Sequence, residues 1–180
     1  MKATLAAKDI SLRTPELVWP EVLPQRLYDL SVPKLPTGRP IELGEDFHGN
    51  LEKHLGGSWI SKEHYYACSA VGEILDDLNI QRKSLRTEQV LKSDAISGRA
   101  DIVGKDRFGR DCVVEIKTTL GNFALAPQSC EFAQMAIYAD LLGFEIPRLI
   151  CIRVNLRLGK AAVFYADFRT SEIRCMLNAA

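Results

Sequence analysis

The strongest chemical signal in the chain is the spacing of three ionisable residues, Asp101 and then Glu115-Ile116-Lys117. They sit in two apolar runs of strand composition, around Ala100–Val103 and Val113–Lys117. The segment between them, Lys105-Asp106-Arg107-Phe108-Gly109-Arg110-Asp111, is polar and holds a glycine, which suits a hairpin loop. Folding the hairpin symmetrically about Phe108 sets Asp101 opposite Glu115. Strand alternation then puts Lys117 on the face of Glu115, with Ile102, Val114 and Ile116 on the other face as core. Two facing carboxylates about 5 Å apart at Cβ repel. A divalent cation between them resolves the conflict, because hard cations such as Mg²⁺ take carboxylate oxygens. Lys117 beside it is placed to orient a water or to neutralise charge developing on a phosphate. The hairpin alone leaves a solvated face with a surface ion pair open as the other reading.

Two further groups of residues bear on that choice. Upstream stands Gly44-Glu45-Asp46-Phe47-His48, followed by Leu51-Glu52; downstream stands Gln134-Met135-Ala136-Ile137-Tyr138. With Asp101, Glu115 and Lys117, this order of elements resembles the PD-(D/E)XK nuclease superfamily, in particular its RecB-type exonuclease branch. The resemblance spans His48 to Tyr138, about half the chain. It implies a restriction-endonuclease-like core, and a metal site of His48, Asp101 and Glu115 with the backbone carbonyl of Ile116. Asp101, Glu115 and Lys117 would be catalytic, and Gln134 and Tyr138 would bind substrate. One nitrogen ligand among oxygens makes Mn²⁺ a natural metal beside Mg²⁺. Glu88 and Glu73 are candidate supporting acids, each with an ordinary surface role as the alternative. Some relatives carry a four-cysteine iron–sulfur cluster; that spacing is absent here, and no cluster is expected.

Composition narrows the class. A length of 180 residues suits one domain, and 47% hydrophobic with 26% charged residues is ordinary for a globular protein. No apolar run is long enough to span a membrane, and the N-terminus lacks the apolar region of a secretory signal. With 23 basic and 23 acidic residues there is no global attraction to nucleic acid, so DNA binding would need a confined basic track. Arg82, Lys83 and Arg86, and Arg107 and Arg110 at the hairpin tip, are candidates for it. Cys68, Cys112, Cys130, Cys151 and Cys175 are scattered without a C-x-x-C pair, which points to reduced thiols in a reducing compartment.

The elements that must position these groups follow from periodicity. Residues 1–40, interrupted by six prolines, read as an arm, with Gln25–Leu30 as helical turns and Trp19 and Tyr28 as aromatic contacts for the core or for bases. Residues 41–180 read as the nuclease domain. Helices are expected over 41–56, with Phe47, Leu51, His54 and Leu55 as its apolar stripe, and over 61–79, capped at Ser61, with Tyr65, Cys68, Val71, Ile74, Leu75 and Leu78 as core. A helix over 128–142 and a short one over 170–179 complete the set. Strands are expected over 84–92, 148–155 and 161–168, besides the motif hairpin. The sum is an α/β fold, a central mixed β-sheet flanked by helices. The function expected is a cytoplasmic metal-dependent DNA nuclease of bacterial or phage type. Exonuclease action on single-stranded DNA is favoured, with a protein partner or homo-oligomer allowed. The rival expectation is a non-cleaving DNA-binding subunit of a nuclease complex.

Overall fold

A computed structural model describes residues 2–3, 26–30, 40–120 and 129–173. Its centre is a six-stranded sheet in the order β1-β6-β5-β4-β3-β2. The strands are β1 (Arg26–Asp29), β2 (Arg86–Lys92), β3 (Ser97–Lys105), β4 (Asp111–Thr119), β5 (Arg148–Asn155) and β6 (Lys160–Asp167). All neighbours run antiparallel except β4 and β5, which are parallel and are joined by a crossover through helix α3 (Ser129–Leu141). The other face carries α1 (Pro40–Leu55) and α2 (Lys62–Asp77). The mixed sheet flanked by helices is the architecture expected from the sequence.

Two cores lie on the two faces. Phe132, Met135 and Ile137 of α3 pack with Val103, Val113, Leu149 and Phe164. Phe47 and Leu51 of α1 and Val71, Ile74 and Leu75 of α2 pack with Ile102, Val114, Ile116 and Ile152. Fully burying such a side chain contributes about 1.5–3 kcal/mol each. α3 is buried from Glu131 through Ala139, apolar on almost every side, as a helix enclosed all round must be. Residues near α1's C-terminus turn as its glycines demand: Gly57, at φ +75°, allows Ser58 N–H to reach back to the Lys53 carbonyl at 2.8 Å.

Three local expectations are corrected. Arg26–Asp29 is a strand at the sheet edge paired with β6, not a helical turn; the polar neighbours hid its pairing. Tyr65 lies on the outer side of α2, whose buried stripe is His64, Ala67, Cys68, Val71, Ile74 and Leu75. Ser61 does occupy the N-cap of α2, but its hydroxyl meets His64 Nδ1 at 2.9 Å instead of capping the backbone. Trp19, Cys175 and most of the expected short helix over 170–179 lie outside the described residues. Cys68, Cys112 and Cys151 are buried, and burial pushes the Cys68 and Cys112 thiols up to about 12, as for inert core residues. No helix among the described residues is long and apolar enough to cross a membrane.

Candidate metal and catalytic site

The motif hairpin has the register that symmetry about Phe108 implies, from Ile102↔Val114 to Lys105↔Asp111. Its next pair, Asp101 with Glu115, does not form. Asp101 Oδ2 instead accepts the Ile116 amide hydrogen at 2.7 Å. The strands therefore part at Asp101, and the site opens in the gap. The expectation of two acids directly opposed on one face is corrected accordingly.

The cause lies on β2. Glu88 would face Asp101 in the β2–β3 register, but it has φ +50°, and the ladder skips from Thr87↔Ile102 to Gln89↔Ala100. A left-handed residue within a strand breaks the alternation of faces. Ile102 accordingly packs with the α1–α2 core, whereas Ala100 joins Val103 in the α3 core. On β2, Leu85 just before the strand packs on the α1–α2 side and Leu91 on the α3 side. Both strands turn over at the Glu88–Asp101 step, and both carboxylates lie where they turn.

α1 brings the third group. Its Gly44 comes so close to β4 that a Cβ there would stand 2.9 Å from Thr118 Oγ1. One turn on, His48 Nδ1 lies 3.7 Å from Asp101 Oδ1 and 4.0 Å from Glu88 Oε1. Burial lowers the His48 pKa against the opposing pull of Glu88 and Glu115, so the ring is neutral near pH 7 and able to offer a nitrogen. Ligand atoms of His48, Glu88 and Asp101 all lie within 4.8 Å of one another.

On the α3 side of the gap, Glu115 is 3% exposed. Its Oε1 is held by Lys117 Nζ and by Gln134 Nε2, the latter at 3.3 Å. Its Oε2 is buried and accepts no hydrogen bond. Burial, and then the nearby Asp101, raise the Glu115 carboxyl; burial likewise raises Asp101. Burial works against the charge on Lys117, but Glu115 and Asp101 outweigh it and raise its pKa, so the ammonium persists. The donor set fits a hard divalent cation: clustered carboxylates, one neutral imidazole and an unsatisfied buried carboxylate oxygen that a cation would relieve.

These groups open on a cavity of about 740 Å³ lined by residues 44, 45, 48, 49 and 52 of α1, by Glu88 and Arg99, and by Asp101 and 115–118. His48, Asp101, Glu115, Ile116 and Lys117 are thus brought together as expected. Glu88, expected only as a support, stands inside the ligand cluster. Glu73 is exposed on α2 and does not line the cavity. Gln134 and Tyr138 do come to the site, but from beneath. They are 8% and 2% exposed, and the Gln134 amide bonds to the Tyr138 hydroxyl at 2.7 Å and to Glu115 instead of lining the cavity. Arg107 and Arg110 sit at the hairpin turn, away from the cavity, and Arg110 pairs with Asp167 at 2.6 Å. Sequence reasoning missed Arg99, whose Nε lies 2.6 Å from Glu88 Oε2. Glu45 and Glu52 enter the sequence reading only as parts of a motif, although their spacing from His48 puts all three on one helix face.

No family model and no curated protein matches the chain. Among solved structures, an alkaline exonuclease from Laribacter hongkongensis (LHK-Exo) is similar over 99% of this chain and 84% of that one, at 10% identity and a TM-score of 0.51. A structure titled SSO0001 is similar over 78% and 85%, at 19% identity and a TM-score of 0.37. The first likeness gives the chain a nuclease fold.

Proposed function

We propose that this chain is a metal-dependent deoxyribonuclease of the RecB-type PD-(D/E)XK group. It hydrolyses phosphodiester bonds as an exonuclease, with single-stranded DNA favoured, in repair, recombination or phage or defence processing. The observation that carries the reading is the meeting of His48, Glu88 and Asp101 within 4.8 Å beside the buried Glu115 and its partly exposed partner Lys117. The nuclease fold of LHK-Exo supports it.

His48, Glu88, Asp101 and the carbonyl of Ile116 would hold Mg²⁺ or Mn²⁺, with Glu115 offering its free oxygen from the facing strand. Bound there, the cation supplies polarisation of a phosphate oxygen and acidification of a water. Asp101 is kept in place by the Ile116 amide. Lys117 keeps its proton, so it donates to the attacking water or to the phosphate oxygen on which charge develops. Gln134, braced by Tyr138, holds Glu115 in one orientation for Lys117.

The test is a gel assay on end-labelled linear and circular DNA, single- and double-stranded, with Mn²⁺, Mg²⁺ or EDTA, beside Lys117→Ala. Loss of linear DNA that needs metal and is reduced at least about 10²-fold in the variant supports the reading, and survival of circles assigns exonuclease action. Intact DNA in every lane with metal bound overturns it.

A further inference from the structure

Among the described residues eight large hydrophobic side chains are exposed, and three of these fall together where α1 passes into α2. Trp59 is 83% exposed, two residues ahead of the α2 N-cap, and Tyr65 and Tyr66 are 50% and 52% exposed near the start of the helix. The two tyrosine rings are in contact: Tyr65 meets Tyr66 edge-on at 5.7 Å and His54 edge-on at 5.9 Å between centroids. Neither core uses Trp59, Tyr65 or Tyr66.

We infer that Trp59, Tyr65 and Tyr66 form a stacking platform for the bases of a single nucleic-acid strand whose backbone runs from the cavity past the start of β2. The inference rests on the nuclease reading of the cavity for its direction. Three observations support this occupant. First, the platform is continuous with the cavity. Glu52 lines the cavity on α1, and His54, two residues on, touches Tyr65. On the facing strand, Thr87 and Glu88 line a small recess with Leu51 and Glu52, and Arg86 stands exposed next to them.

Second, the charge is complementary to phosphate. Lys53, Lys62, Lys83 and Arg86 are exposed and make no ion pair among the described residues. Arg82 is neutralised by Asp76 at 2.7 Å, and Glu63 is the exposed acid beside Lys62. Against these four cations stand three exposed acids without an ion pair among the described residues, Glu63 and, at the cavity, Glu45 and Glu52, so the path carries a small excess of positive charge in a chain with no net charge.

Third, the exposed sequence neighbours of the rings are Gly56, Gly57, Ser58, Lys62 and Glu63, and the one aliphatic residue between them, Ile60, is buried, so no aliphatic side chain there extends an apolar protein contact. An exposed indole or phenol accepts any base by its π-face, which is what a sequence-tolerant strand path requires.

The test is fluorescence anisotropy of fluorescein-labelled oligothymidylates, one short and one long, in EDTA so that nothing is cut. Trp59→Ala and Tyr65→Ala should each weaken the long oligonucleotide by at least about fivefold and leave the short one little changed. Binding should quench tryptophan emission in the parent protein and not in Trp59→Ala. Lys83→Gln with Arg86→Gln should flatten the salt dependence, by about 0.7 in the log–log slope for each phosphate that is no longer neutralised. These exposed positions leave the fold intact, and thermal melts check it. Equal affinity and an equal salt slope in all variants overturn the platform, leave the nuclease reading standing, and turn the surface over to a protein partner. Failure of the parent to bind any oligothymidylate also overturns the platform. If it is joined by intact DNA in the metal assay, the nuclease reading falls as well.

Discussion

The carboxylate of Asp101 accepts the backbone amide of Ile116 at 2.7 Å, in the place where a β3 carbonyl would have continued the ladder. One side chain thus ends a strand pairing and lines the cavity that the ended pairing opens. Asp101→Asn keeps an oxygen for the amide but loses the charge. It is expected to retain thermal stability and to lose Mn²⁺ affinity by isothermal calorimetry. Asp101→Ala also leaves a buried N–H unpaired and should lose a further 1–3 kcal/mol, roughly, in urea unfolding. Equal stability of the two variants would show that the hydrogen bond contributes nothing.

Burial raises the carboxyls of Asp101 and Glu115 above the ordinary carboxylate range. The folded chain then holds protons that the unfolded chain has released. Stability from these groups is full below the ordinary value of about 4 and is lost as pH rises through the raised values. Metal-free protein is expected to melt at a lower temperature near neutral pH than near pH 5. Mn²⁺ takes the proton's place, so its increase in Tm should be largest at the higher pH. Melting curves in EDTA and in Mn²⁺ across that range measure both signs; an increase that is the same at every pH would contradict the assignment.

Glu88 holds φ +50° in mid-strand, a conformation that disfavours a glutamate by about 1–3 kcal/mol. Asn tolerates it better. Glu88→Asn is expected to melt at or above the parent in EDTA, because the Arg99 pair it gives up is largely exposed on the arginine side and worth little. The same variant should lose most of the rise in Tm with Mn²⁺. A large loss of stability in EDTA would mean that the residue serves the fold and not the site.

Gly98 lies under Tyr138: a Cβ there would stand 2.5 Å from the ring and 3.0 Å from Ala3 Cβ. Gly98→Ala should destabilise by about 1–3 kcal/mol and should release Gln134 from Glu115. In a Tyr138→Ala background the collision with the ring disappears, so the added loss from Gly98→Ala should shrink. A double-mutant cycle with no coupling would separate Gly98 from the Gln134–Tyr138 support.

Much of this site was legible from order and spacing. Strand runs about a polar Gly109 turn dictate the hairpin and its register, because period-two burial admits one pairing. The helical position of His48 and the pairing of Gln134 with Tyr138 follow from 3.6-residue periodicity. The apolar patterns of Phe47–Leu51 and Val71–Leu75 determine which sides face inward.

The tertiary structure decided what those residues do together. A positive φ at Glu88 leaves no mark in sequence, because the residue is not glycine, yet it turns both strands over and moves Glu88 from support to ligand cluster. Gln134 and Tyr138, expected to bind substrate, become buried braces only because α3 is enclosed all round. Arg26–Asp29 becomes a strand only by pairing with β6, more than a hundred residues later in the chain. Local periodicity follows from neighbours in sequence, whereas strand splaying, helix enclosure and edge pairing depend on contacts between distant segments, and these are set by packing.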